Sequence, residues 1–192
     1  MRPPGLTSDA PRHASPRAKV RVLWTATLTA VALAWLIPDL DRPGVSWDEP
    51  EYFSSARRIQ TWGTDLMADP GAALQPDAIR LAWDPPESDY FNPHPPVYKE
   101  GMALTEGLFG RLLGPVAGFR LSSALLFALL IAAVTWTVSG AAGITAGVSA
   151  GVSLLLMPRV FGHAHFAATD MPLTCFWTVA TLAFASFLRT GG

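Results

Sequence analysis

The sequence predicts an all-α integral membrane protein that crosses the bilayer about four times and carries one large loop on the side opposite its N-terminus. Three observations lead there. Half of the residues are apolar and only 15% are charged. Stretches 22–38, 121–158 and 171–188 contain no Asp, Glu, Lys or Arg, as lipid-spanning helices require. The charges that remain are sorted by sign. Arg2, Arg12, Arg17, Lys19 and Arg21 face a single acid, Asp9, at the N-terminus, whereas 39–118 holds thirteen of the fifteen acids. Basic flanks stay in the cytoplasm, so the chain is expected in the cell membrane with its N-terminus cytoplasmic and the loop extracytoplasmic. The net charge of −1 gives no pull toward nucleic acid.

The elements follow in order. Residues 1–18 are rich in Pro, Arg, Ser and Ala and read as a disordered cytoplasmic tail. The first span is 19–38, ended by Pro38. A cleaved signal peptide is the alternative, but Trp35, Leu36 and Ile37 extend the apolar run past Ala32-Leu33-Ala34, the one plausible cleavage site. The extracytoplasmic loop is 39–118. Within it, 46–66 reads as an amphipathic interfacial helix, with Tyr52, Phe53, Ala56, Ile59 and Gly63 on one face and Arg57 and Arg58 on the other. Prolines 70, 76, 85, 86, 93, 95 and 96 forbid long helices in the middle of the loop. A second amphipathic helix covers 97–113, with Met102, Leu104, Leu108, Phe109 and Leu112 as its apolar face.

The charge-free stretch 121–158 is too long for one crossing, because at about 1.5 Å per residue it would reach nearly twice the ~30 Å hydrocarbon core. Ser139-Gly140-Ala141-Ala142-Gly143 supplies a tight turn, which gives spans at 119–139 and 143–160. The second of these is rich in Gly and Ala, residues that let helices approach closely in lipid. The last span is 171–188, with Arg189 returning to the cytoplasm. Cys175, the only cysteine, excludes an intramolecular disulfide and reads as packing filler.

Ionisable groups gather at the outer ends of the spans, where such groups are functional candidates. Asp48, Glu49 and Glu51 follow the first span. They suit the first turn of a helix, whose dipole favours acids. They equally suit a general base held at the membrane surface. Asn92-Pro93-His94-Pro95-Pro96 reads either as a stiff turn into a helix or as a rigid clamp that holds His94 and Lys99 near an anionic group. Arg120 opens the second span, either snorkelling to headgroups or presenting its planar fork to phosphate. Arg159, His163 and Asp170 lie between the last two spans. His163 and His165 form an H-x-H pair, a weak metal signal.

In this order, these motifs resemble the start of a GT-C class glycosyltransferase, of the protein O-mannosyltransferase-like branch that includes lipid A aminoarabinose transferases. The resemblance rests on Asp48-Glu49 in WDEPEYF, His94-Pro95-Pro96 and Lys99 in HPPVYK, Arg120 in FRLS, and Asp170 in ATDMPL. It covers nearly the whole chain from about residue 20. It implies a partial GT-C bundle, since members of that branch have many more spans, and hence an N-terminal portion of such an enzyme. It also implies inverting transfer from a polyprenyl-phosphate-linked sugar to a protein, lipid or glycan acceptor. Asp48 would be the base and Glu49 would assist. Lys99, Arg120 and Arg159 would hold the donor phosphate, with Glu51, His94, His163 and Asp170 around the substrate. No cofactor is required, and a divalent metal is an option. Two other readings compete: a non-catalytic membrane subunit or remnant, and a transport component, which would need charges inside the spans.

Overall fold

The computed structural model describes residues 15–83, 94 and 96–191. Most of the N-terminal tail and the proline-rich stretch 84–93 lie outside the described residues. Every regular element among those described is helical. Helix α1 is Pro16–Leu36, extended by a 3-10 turn at Ile37–Asp39, and it is followed by α2, Glu49–Ala68. Two short helices, α3 at Pro70–Ala73 and α4 at Pro76–Trp83, each start on a proline. At that position the missing N–H costs nothing. The remaining helices are α5, Pro96–Leu113; α6, Pro115–Ala142; α7, Ile144–Leu155; α8, Pro158–His163; and α9, Asp170–Thr190.

Three helical stretches are long and apolar enough to cross a membrane: Pro16–Asp39, Pro115–Ala142 and Asp170–Thr190. The expected span over 143–160 takes a different form. Helix α7 has only 12 residues, about 18 Å at ~1.5 Å per residue. The helix stops at Leu156-Met157, where Pro158 disfavours the α conformation in the residue before it. The first helix also starts earlier than expected. Ser15 caps it by accepting a hydrogen bond from the Ala18 N–H, so 16–18 are helical rather than tail.

Helix α6 is the axis. A single glycine turns the chain at each of its ends, Gly114 with φ 91° and Gly143 with φ 95°, a conformation open to glycine at little cost. Along α6, α1, α5 and α7 run antiparallel and α9 runs parallel. Arg21 of α1 donates to the Trp136 carbonyl at 2.9 Å, and its guanidinium lies 3.6 Å from the Trp136 ring centroid. At the opposite end the α1 segment delivers the Leu40 carbonyl to Arg120. Residues 143–167 retrace α6: Gly147 sits on Ser139 and Thr135, Gly151 on Thr135, and the Phe166 carbonyl accepts from Ser123 at 2.7 Å. The core they enclose holds Leu28, Leu36, Phe127, Leu130, Ile131, Leu155, Met171 and Cys175.

Helix α5 pairs with α6 through small residues, Gly110 against Gly118 and Gly101 against Ser122. This contact decides which side of α5 is buried, and of the expected apolar face only Met102 lies on it. Its buried side is Tyr98, Lys99, Met102, Ala103 and Thr105, while Leu104, Leu108 and Leu112 face outward, Leu112 being 80% exposed. Helix α2 buries Glu49, Tyr52, Ser55, Ala56 and Ile59. Together with Tyr98, Met102, Phe119 and Ala167 it forms a second core.

The α6–α7 contact is backbone against backbone, so it tolerates no side chain. A methyl at Gly147 would meet Ser139 Oγ, Ser139 N and Thr135 O. Gly147→Ala is therefore expected to lower stability by about 1–3 kcal/mol. Gly63→Ala, in an open part of α2, should instead raise it by about 0.5–1 kcal/mol. Thermal unfolding in detergent checks both; equal effects at the two sites would contradict the packing.

Candidate functional site

Arg120 lies one and a half turns into α6, wholly excluded from solvent, and all five of its N–H bonds are used. Nε donates to Glu49 Oε1 at 2.8 Å and Nη2 to Glu49 Oε2 at 2.7 Å. Nη1 donates to the carbonyls of Leu40 and Pro43 at 2.8 and 2.9 Å, and Nη2 also donates to Gly44 at 2.9 Å. Glu49, equally buried, accepts two further bonds, from the N–H groups of Ser46 and Ala167, both at 2.8 Å. Burial by itself would raise the Glu49 pKa. The bonds from Arg120, Ala167 and Ser46 and the Arg120 charge outweigh it and hold the carboxyl below its ordinary value. Two expectations are corrected here. Arg120 has no donor left for a phosphate, and Glu49 has both oxygens occupied, so neither is open to substrate.

Around this pair the other candidates divide into two groups. The first surrounds Tyr52. Asp48, the half-buried residue just ahead of α2, makes no cap bond with its side chain. Instead it accepts from Ser46 Oγ at 2.7 Å. Asp170 opens α9, exposed, 3.5 Å from His163 Nδ1. Thr169, immediately before it, stands 3.5 Å from the Tyr52 hydroxyl. The His94 ring lies 5.6 Å from the Tyr52 ring and Tyr98 lies 6.4 Å from it, edge-on. The Tyr52 pKa is raised, first by burial, against the Thr169 bond, and further by the charges of Asp48 and Asp170. Both carboxylates thus act on one phenol, although 122 positions separate them in sequence.

The second group is cationic. Lys99 is 5% exposed and has no hydrogen bond or ion pair among the described residues. Burial lowers its pKa, Arg58 lowers it further, and Glu51 opposes both. Arg58, expected on the outer face of α2, turns inward. It donates to Ser54 Oγ at 3.1 Å and Ser55 Oγ at 2.9 Å and lies 3.5 Å from Glu51. Its Nε is buried and has no hydrogen-bond partner among the described residues. The heptad spacing of Glu51 and Arg58 was the available signal, since two turns return a side chain to the same helix face. Arg159 stays apart, exposed in the first turn of α8.

A hydrogen-bonded chain ties Tyr98 to α6 and to the segment ahead of α9. Ser123 donates to the Phe166 carbonyl, so the Tyr98 hydroxyl donates to Ser123, at 2.6 Å. The Tyr98 pKa is pushed up to about 12, mainly by burial. Tyr52, Tyr98 and Arg58 are the site residues that motif reading missed. For a divalent metal, no group of three His, Cys, Asp or Glu side chains gathers among the described residues. Compared with protein-family profiles, with curated proteins and with solved structures, the chain returns no match.

Removing one partner of a buried pair strands the other. Arg120→Met is expected to cost about 3–5 kcal/mol. Arg120→Lys should not restore it, because three donors on a flexible stem do not replace a planar fork. The pair also predicts acid sensitivity. The folded pKa of Glu49 is held below that of the unfolded chain, so its contribution is complete above the unfolded value and is lost as pH falls through the folded one. Unfolding followed against pH should show this loss in the wild type and not in Glu49→Gln.

Proposed function

We propose that the chain carries out glycosyl transfer of the GT-C type at the extracytoplasmic surface of the cell membrane, with a polyprenyl-phosphate-linked sugar as donor. The observation that carries this reading is the pairing of opposites at one end of α6. Asp48 and Asp170 both act on Tyr52, while the buried Lys99, without a partner among the described residues, feels the charges of Arg58 and Glu51. In the reaction, Asp48 takes the proton of the acceptor hydroxyl as that oxygen bonds to the anomeric carbon. The bond from this carbon to the phosphate oxygen breaks on the other side, with inversion. The phosphate leaves as an anion, and Lys99 and Arg58 meet its growing charge. Asp48 suits the role of base because, unlike Glu49, it is half-exposed and engaged by a single hydroxyl. A donor with a lipid tail is confined to the bilayer. This suits a site at the ends of apolar helices whose outer faces, such as Leu173 and Trp177 of α9, are strongly exposed. Protein, lipid and glycan acceptors all carry the required hydroxyl.

The second reading, a membrane subunit without catalysis, draws on the Glu49–Arg120 pair. The two most deeply buried charges serve the fold, and such architecture needs no reaction.

Two experiments test the proposal. Asp48→Asn should lower transfer from a polyprenyl-phosphate sugar by about 10²–10⁴-fold with the folded protein unchanged; full activity in the variant refutes the base. Sidedness is read with a single cysteine. Trp47→Cys in a Cys175→Ala background should react with a membrane-impermeant maleimide on intact cells, since Trp47 is 82% exposed beside Asp48. Labelling only after permeabilisation would place the site in the cytoplasm.

A further inference from the structure

Tyr52 has a buried hydroxyl with almost nothing to bind. The residue is 4% exposed, yet its only hydrogen bond among the described residues is the 3.5 Å contact to Thr169 Oγ1. Hydroxyl pairs normally close to about 2.7–2.8 Å. Thr169 Oγ1 has no other partner among the described residues either. Buried polar groups are nearly always satisfied, and a contact this long invites a third oxygen between the two. The surroundings select the kind of group. Asp48 and Asp170 both bear on the phenol, so an anion is repelled and a neutral hydrogen-bond donor is favoured. The His94 ring lies tilted against the Tyr52 ring, 5.6 Å between centroids. On the other side, Tyr98 touches Tyr52 edge-on and is followed directly by Lys99. Tyr52 shares α2 with Glu51 and Arg58, and its neighbour Tyr98 shares α5 with Lys99, so the same two helices carry the jaw's phenol and the cationic group, with opposite preferences for charge.

We propose that Tyr52 and Thr169 form a sugar-hydroxyl subsite, a jaw that takes a hydroxyl of the donor's sugar while its phosphate lies toward Lys99 and Arg58. The inference rests on the donor proposed above and adds the orientation of its head. It names Tyr52 as a substrate-positioning residue. The charges of Asp48 and Asp170, which both act on the jaw's phenol, keep the phosphate out of it, so the donor binds in one direction only.

The test is a binding measurement on the full chain in nanodiscs. The probes are polyprenyl monophosphate and a panel of polyprenyl-phospho-sugars carrying mannose, glucose or 4-amino-4-deoxyarabinose. The wild type should bind one panel member more tightly than the sugar-free lipid. Tyr52→Phe keeps the ring and its packing against His94 and Tyr98. It should weaken that sugar lipid about tenfold and leave polyprenyl monophosphate unchanged. Thr169→Val should do the same from the other jaw, which guards against a defect peculiar to one variant. Equal weakening of both lipids in both variants would make the pair structural and overturn the subsite. So would no weakening of either lipid, or a wild type that binds every sugar lipid no better than the monophosphate. If the wild type binds none of the probes, the donor itself is wrong, and the glycosyl-transfer reading falls along with the subsite.

Discussion

A guanidinium sealed from water near the top of a long apolar helix must have every N–H satisfied, and the arrangement at this end of the molecule follows from how Arg120 meets that demand. Three carbonyls come from the link after the first helix, at Leu40, Pro43 and Gly44. Two carboxylate oxygens come from the start of α2. The carboxylate in turn takes the Ala167 N–H from the segment ahead of α9. One ion pair therefore pins together α1, α2, α6 and the approach to α9. A buried pair has little net worth compared with an apolar replacement. Its value here is geometric, because only this arrangement satisfies all the groups involved.

Once Glu49 and Arg120 are assigned to the fold, the neighbouring charges read differently. Asp48 precedes Glu49 and is held at a fixed distance from the pinned carboxylate. Asp170 follows Thr169, only three residues beyond the pinned Ala167. Both carboxylates thus act on Tyr52 because the same salt bridge anchors both approaches. Loss of Arg120 would be felt at the site without Arg120 touching any ligand. An activity assay alone would therefore misread it as a phosphate ligand, whereas a stability measurement separates the two roles.

Much of the architecture was legible in the sequence. Charge-free runs located the three long helices to within a few residues, and the Gly-rich turn at 139–143 resolved to Gly143 alone. The prolines of the loop did limit α3 and α4 to short pieces. Two features were not legible. Hydropathy could not tell which side of α5 meets protein, because leucines suit lipid and core alike; the decision is made by Gly101 and Gly110, whose lack of side chains lets α6 approach. Nor could local reading tell one arginine from another. Arg120 and Arg58 both lie within reach of acids. However, the partner of Arg120 is 71 positions away and its carbonyl cage is a product of the fold, so motif order gave it the role that its geometry excludes.

Lys99 shows by contrast what remains for chemistry. This chain is able to pair a buried cation completely, as it does for Arg120. Yet in α5 it leaves a lysine 5% exposed, without a partner among the described residues, in the field of a second cation whose Nε has no hydrogen bond among them either. Desolvation of such a group is costly, and the nearby Arg58 makes it costlier. Glu51 offers only partial relief, because it already lies 3.5 Å from Arg58. A fold that satisfies local demands elsewhere and breaks them at one place does so most often where a ligand completes the set. An anion arriving between Lys99 and Arg58 would supply the missing partner to both. The carboxylates at Tyr52 would keep that anion from the other end of the site. The same uneven sorting of charge that the sequence displays along its length is thus repeated, at a scale of a few ångströms, between the two ends of one site.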